Sequence, residues 1–164
     1  DKYNKNNVVV YKTYQMYRKD SLYKLENDLQ IDRSYHLGVK LVRGAYYNKD
    51  LKYNILYNNI EETHDNYNKG IITFFEKSKN NDKLVIATHN DYSISYAINK
   101  NKIFKKNNIY FAQLMGMDNK NKKYILDNNY IFYTYLPYGN FNDSIPYLIR
   151  RLYENIPFIY KLIK

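Results

Sequence analysis

Apolar positions along this chain switch repeatedly between two periods. Short β-branched or aromatic runs read as strands: Val8-Val9-Val10-Tyr11 continuing through Thr13-Tyr14-Gln15, Gly38 through Tyr46, Leu84-Val85-Ile86-Ala87, Ile109 through Leu114, and Tyr130 through Tyr135. Between them, apolar residues recur every three or four positions, as helices require. Leu22, Leu25 and Leu29 form one such face behind a cap at Asp20 or Ser21. A long helical region is expected from the fifties to the late seventies, carrying Leu51 and Ile55, then Ile71, Phe74 and Phe75, with Gly70 interrupting or re-aiming it. Ile94, Ala97 and Ile98 follow a cap at Asn90 or Asp91. Ile145, Leu148, Ile149 and Leu152 form the last stripe, behind a cap at Asp143 or Ser144 and with Pro146 in the first turn.

About five strands thus alternate with helices, and runs such as Leu84–Ala87 are those of strands buried on both faces. That pattern means parallel β/α structure. A closed barrel of eight β/α units takes ~250 residues, so five units in 164 residues make an open sheet or an incomplete barrel. The polar and small residues of interest gather toward strand C-terminal ends, the ligand-binding edge of such folds.

Composition adds limits. The chain is 26% charged and 45% apolar, with no apolar run near the roughly 20 residues that span a bilayer. The segment from Asp1 shows neither a signal-peptide core nor an Arg-rich transit pattern. Without cysteine there are no disulfides, thiolate metal sites or Cys nucleophiles; a reducing or mitochondrial compartment fits. A net charge of +10 suggests nucleic acid. However, the lysines are scattered among Asn and Tyr in the expected loops, as in Asn119-Lys120-Asn121-Lys122-Lys123, and form no coherent basic face. A compositional preference for Asn, Lys, Tyr and Ile at tolerant surface sites explains them better.

Candidate chemistry is sparse when motifs are taken singly. Arg150 and Arg151 flank the last helical stripe, with Tyr147 one turn before and Glu154 one turn after. Such a pair suits bidentate capture of a carboxylate, yet a solvated pair with an i, i+4 partner is the commoner case. Lys40 within an apolar strand either reaches the rim or contacts a bound group. Gly44-Ala45 reads as a tight turn or as a close approach for a planar ligand. His89 reads as a capping residue. No Gly-rich phosphate loop, metal-ligand spacing or Ser/His/Asp arrangement is present.

Taken in order, the motifs are specific. Lys40-Leu41-Val42-Arg43-Gly44-Ala45-Tyr46, Ala87-Thr88-His89-Asn90, Phe111 through Met117, and Tyr135-Leu136-Pro137-Tyr138-Gly139 resemble successive motifs of the proline dehydrogenase family. Thr13-Tyr14-Gln15-Met16-Tyr17 resembles the strand end before them, and the Arg150-Arg151 helix with Glu154 resembles the closing motif. The resemblance covers nearly the whole chain. It implies a TIM-like (βα)8 flavin barrel of which residues 1–164 supply about the last five strands and the helices between and after them. The upstream barrel strands, with a Lys and an Asp that the family places there, are absent.

The implied activity is FAD-dependent oxidation of L-proline to 1-pyrroline-5-carboxylate, with hydride transfer to flavin N5. By this resemblance Lys40 is the catalytic residue beside N5. Gln15, Lys40, Arg43, Gly44, Ala45, Tyr46, Thr88, His89, Gln113 and Leu114 contact the cofactor. Arg150 and Arg151 clamp the substrate carboxylate, Tyr135 and Tyr147 wall the ring, and Glu154 holds the Arg pair. A quinone electron acceptor, peripheral membrane association and a mitochondrial setting are implied too, with no metal and no nucleic acid. The alternatives are hydroxyproline dehydrogenase, against which the bulky Tyr135 argues, and an inactive truncated fragment that needs the missing N-terminal barrel part. Two positions depart from the family pattern: Asn128-Asn129 replaces a small residue and Gly, and Thr134 replaces a Lys.

Overall fold

The computed structural model describes residues 2–44, 50, 52, 54–115, 120–136, 138–142, 144–146, 148 and 149. The chain forms two compact units, Asp1–Thr134 and Tyr135–Lys164. In the first, strands and helices alternate: β1 (Tyr11–Gln15), α1 (Ser21–Gln30), β2 (Gly38–Val42), α2 (Ile60–Lys77), β3 (Lys83–Ala87), α3 (Asp91–Phe104), β4 (Ile109–Leu114), α4 (Lys120–Asp127) and β5 (Ile131–Tyr135), whose final residue opens the second unit. The five strands form one sheet in the order β1-β2-β3-β4-β5, and β1 through β4 pair in parallel.

The register sorts the side chains by face. Val39, Leu84 and Ile109 align in one row and Tyr14, Leu41, Ile86 and Phe111 in another, and all seven are buried. Onto them pack Leu25 and Leu29 of α1, Tyr67, Ile71, Phe74 and Phe75 of α2, Ile94, Ala97 and Ile98 of α3, and Ile125 of α4. Each helix also packs on the next, α1 on α2, α2 on α3 and α3 on α4. Sequential strand order with the helices in one layer on one face is the winding of a barrel; a doubly wound sheet reverses its order and covers both faces.

Local chemistry explains the boundaries. Asn59 caps α2 by accepting from the Glu62 amide at 2.8 Å, while the Glu62 carboxylate accepts from Asn58 N at 3.0 Å. This is a reciprocal capping arrangement. Asn90 caps α3 through the Ser93 amide at 2.9 Å, as the sequence suggests. Asn129 adopts φ 62°, the left-handed turn that a glycine would supply, so the Asn128-Asn129 replacement leaves entry into β5 intact.

Several expectations shift. β1 begins only at Tyr11, because the Asn4 side chain takes the amides of Val9 and Val10 at 3.0 Å and satisfies them without a partner strand. The long helix starts at Ile60, after Asn54 has turned with φ 50°; Ile55 precedes it and Leu51 lies outside the described residues. Gly70 does not interrupt it. α2 runs straight through that position, which instead admits Met16, whose Cε would lie 2.8 Å from an added Cβ. Asp20 occupies the N-cap position of α1 but pairs with Arg18 and Lys24 rather than with helix amides. Phe141 and Asn142 are already helical, so Ser144 and Pro146 do not open the last helical stretch; Asp143 lies outside the described residues.

Asparagine is also more than surface filler. Asn4, Asn66, Asn68, Asn101 and Asn121 are buried, and each bonds to backbone or to another side chain. Asn101, for example, donates to Lys106 O and accepts from Lys106 N, both at 2.9 Å, closing the turn after α3.

Gly38 opens β2 where β1 passes closest. A Cβ there would meet Val10 O at 2.5 Å and Val8 Cγ1 at 2.6 Å. A backbone carbonyl oxygen at the mouth of β1 cannot move aside as a side-chain tip can. Gly38→Ala is therefore expected to destabilise the protein by about 1–3 kcal/mol, measured as a lower urea midpoint at unchanged m-value.

Candidate active site at the strand C-terminal ends

The sheet face opposite the helices carries the chemistry. Thr13 pairs in register with Lys40, Lys40 with Val85, and Val85 with Tyr110. One level closer to the strand ends, Gln15 lies beside Val42 and Ala87 beside Ala112. Gln15, Lys40, Val42, Ala87, Tyr110 and Ala112 are all half-buried. Small side chains at Ala87 and Ala112 make this upper level a shelf, with Lys40 one row below. Tyr110 and Tyr133 contact each other at 5.8 Å between ring centres lower on the same face. Burial, and secondarily these two rings, push the Tyr11 hydroxyl up to about 12.

Behind the shelf, a polar network joins the strand ends to the helix starts. Arg43, just past β2, donates to Thr88 Oγ1 and Ser93 Oγ, and its guanidinium stacks 3.8 Å from the Tyr67 ring centre. Ser93 Oγ donates onward to Asn68 Oδ1 at 2.7 Å, and Asn90 N reaches Thr88 Oγ1 at 3.1 Å. Gln113 Nε2 donates to Thr88 O at 3.0 Å. Leu114 N donates to His89 Nε2 at 3.2 Å, which requires a lone pair there and places the imidazole proton on Nδ1. Asn121 Nδ2 bonds both His89 O at 3.3 Å and Asp91 Oδ1 at 2.7 Å, tying α4 to the same edge.

The electrostatics centre on Arg43. Burial holds its pKa below the ordinary range for arginine, and no carboxylate pairs with it among the described residues. Half-buried His64 on α2 is held down too, by burial first and by the Arg43 charge second. Three buried polar atoms at this edge lack a partner among the described residues: Gln15 Oε1, Gln113 Oε1 and Arg43 Nε. Gly44 follows with φ 143°, a conformation suited to glycine, and a Cβ there would meet nothing closer than Tyr17 Cδ1 at 3.8 Å.

The structure thus gathers Gln15, Lys40, Arg43, Gly44, Thr88, His89, Gln113 and Leu114 along one edge of one sheet. Ala45, Tyr46, Tyr147, Arg150, Arg151 and Glu154 lie outside the described residues. Tyr135 ends β5, half its surface exposed, within the second unit. Sequence reasoning missed the supporting residues Tyr67, Asn68, Ser93 and Asn121. The available signal was polar residues falling on the buried stripes of α2, α3 and α4.

A parallel sheet with a ligand edge at its strand ends and helices in one layer defines a segment of a TIM-like α/β barrel. A family model described as Proline dehydrogenase matches residues 1–157, and the chain belongs to that family. It is 34% identical to proline dehydrogenase 1, mitochondrial, of Dictyostelium discoideum, over 96% of this chain and 31% of the relative. It is 34% identical to hydroxyproline dehydrogenase of Xenopus laevis, over 89% of this chain and 35% of the relative. The crystal structure of proline utilization A from Bdellovibrio bacteriovorus, inactivated by N-propargylglycine, superposes with a TM-score of 0.76 at 26% identity, covering 87% of this chain and 16% of that one. The chain therefore spans about a third of the length of these curated relatives.

Proposed function

We propose that this chain contributes the cofactor- and substrate-binding portion of a flavin-dependent proline dehydrogenase, with FAD as cofactor. In this reading residues 1–164 supply later strands of a (βα)8 barrel, completed by barrel strands outside this sequence. The observation that carries it is the shelf of small residues at the strand ends, with Lys40 below it and unsatisfied polar atoms along its rim. These features suit a flavin. The Ala87–Ala112 surface accommodates a flat ring, Gln15 Oε1 and Gln113 Oε1 are acceptors for an N–H such as the pyrimidine edge carries, and Arg43 and the open backbone of Gly44 suit a phosphate.

A bound flavin would supply the two-electron acceptor. The chain's residues do the rest. Lys40 sets positive charge beneath the shelf and favours electron density gathering there. The His89–Leu114 bond fixes one imidazole tautomer. On the closing motif, Arg150 and Arg151 would hold the substrate carboxylate, Glu154 would orient them, and Tyr135 and Tyr147 would enclose the ring. Their task is to keep the substrate carbon in near-contact geometry. The relatives named mitochondrial support a mitochondrial location, and a quinone acceptor with peripheral membrane association completes the proposal. Among the described residues no helix is long and apolar enough to cross a membrane.

The shelf gives a direct test. Ala112→Leu in the full-length protein fills the space a ring would occupy while leaving the helix-side core alone. FAD affinity is expected to fall ten- to a hundredfold, the equivalent of about 1–3 kcal/mol of overpacking, with the melting temperature of the flavin-free protein unchanged. Unaltered flavin absorbance at equal FAD would remove the shelf from the site. The Xenopus relative keeps hydroxyproline as a second substrate reading, decided by comparing kcat/KM for proline and hydroxyproline.

A further inference from the structure

Tyr17 ties together two points within the β2–α2 connection. Its ring is buried beneath Gly44, and its hydroxyl donates to Asp50 Oδ2 at 2.7 Å. Arg18 donates to the same oxygen at 3.2 Å and grips Asp20 with two further bonds of 3.0 Å. The backbone repeats the tie. Lys19 N donates to Ile55 O at 2.8 Å, Tyr57 N donates to Tyr17 O at 3.1 Å, and Arg18 and Leu56 form an antiparallel bridge. The Tyr17 hydrogen bond, more than Arg18, holds the Asp50 carboxyl below the usual range, and Arg18 chiefly lowers Asp20 to about 2. Asp50 is therefore ionised at neutral pH, and its bonds to Tyr17 and Arg18 are charge-assisted.

Gly44 has no side chain by which its own surroundings could hold it, and it adopts a backbone conformation that most residues avoid. Order at that strand end must be imposed from below and from beyond. Tyr17 reaches both places, with its ring under Gly44 and its hydroxyl on Asp50. We propose that Tyr17, acting through Asp50, is a positioning residue for the cofactor-binding end of β2, and that it sets flavin affinity without contacting substrate. This rests on the flavin reading above. The ring alone would serve packing; the hydroxyl on a carboxylate farther along the connection is what makes a tether.

The test uses the full-length protein with Tyr17→Phe, Asp50→Ala and the double variant. Tyr17→Phe keeps the ring and removes only the hydroxyl. Hydrogen exchange of the flavin-free protein is expected to quicken about tenfold at the amides of Lys19 and Tyr57, with the buried face of α3 unchanged. The FAD dissociation constant is expected to rise about tenfold in each single variant, and no further in the double than in Asp50→Ala, which already removes the Tyr17 bond. Faster exchange with unchanged FAD affinity would reduce the tether to a structural tie and overturn the proposal, as would additive effects in the double variant. Wild-type protein that binds no flavin would instead overturn the functional reading itself, and with it this role.

Discussion

Asp82→Ala is expected to cost about 3–5 kcal/mol, the largest stability loss of any single substitution discussed for this chain. Asp82 and Arg33 are an ion pair with side chains 0% and 1% exposed. The carboxylate accepts four hydrogen bonds: from two Arg33 nitrogens at 2.7 and 2.5 Å, from Leu37 N at 2.7 Å and from Lys79 N at 2.8 Å. It thereby joins the segment after α1, the entry to β2 and the turn into β3. Removing it strands a buried guanidinium whose remaining acceptor among the described residues is Tyr35 O, at 2.8 Å, and orphans two amides besides. Arg33→Met should be milder, because Asp82 keeps both amide donors and methionine refills the channel. Urea unfolding of the full-length protein would show both losses. An Arg33→Met cost equal to or above that of Asp82→Ala would mean that the backbone bonds to Asp82 carry little.

The parallel β/α alternation was legible because short, nearly continuous apolar runs such as Leu84–Ala87 and Ile109–Leu114 leave the period little choice, and the structure places strands there. The placement of the candidate residues was legible for the same reason: Gln15, Lys40, Thr88 and Gln113 fall on or just past strands, and parallel pairing sets those strands side by side. What could not be read were choices settled by distant partners. Gly70 looks like a helix breaker until Met16, far away in sequence, is seen to need its space. Val8–Val10 has the composition of a strand, yet Asn4 satisfies the local amides. Arg43 reads as a cofactor contact by motif, but its stacking on Tyr67 and its bonds to Thr88 and Ser93 come from two helices and the turn after β3, whose approach no local pattern encodes. Buried asparagines were hidden by the chain's general wealth of that residue.

Lys40→Met should separate chemistry from binding. Lys40 lies mid-strand in β2, half-buried between Thr13 and Val85 on the face away from the helix-side core. It belongs to no ion pair found among the described residues, so methionine of similar length removes charge without stranding a partner. The fold and FAD affinity should therefore change little. If the ammonium stabilises charge that gathers at the shelf during proline oxidation, kcat should fall about 100-fold, or about 2.7 kcal/mol of barrier. KM should move far less, because the substitution leaves the carboxylate clamp proposed for Arg150 and Arg151 untouched. The bound flavin should also become harder to reduce, its two-electron midpoint falling by about 60 mV for the same free energy. Lys40→Arg, which restores a cation on a longer and differently shaped group, should recover part of both losses. Spectroelectrochemical titration beside steady-state kinetics makes the argument testable at two points. An unchanged midpoint with a normal kcat would show that the charge of Lys40 does not reach the reacting centre.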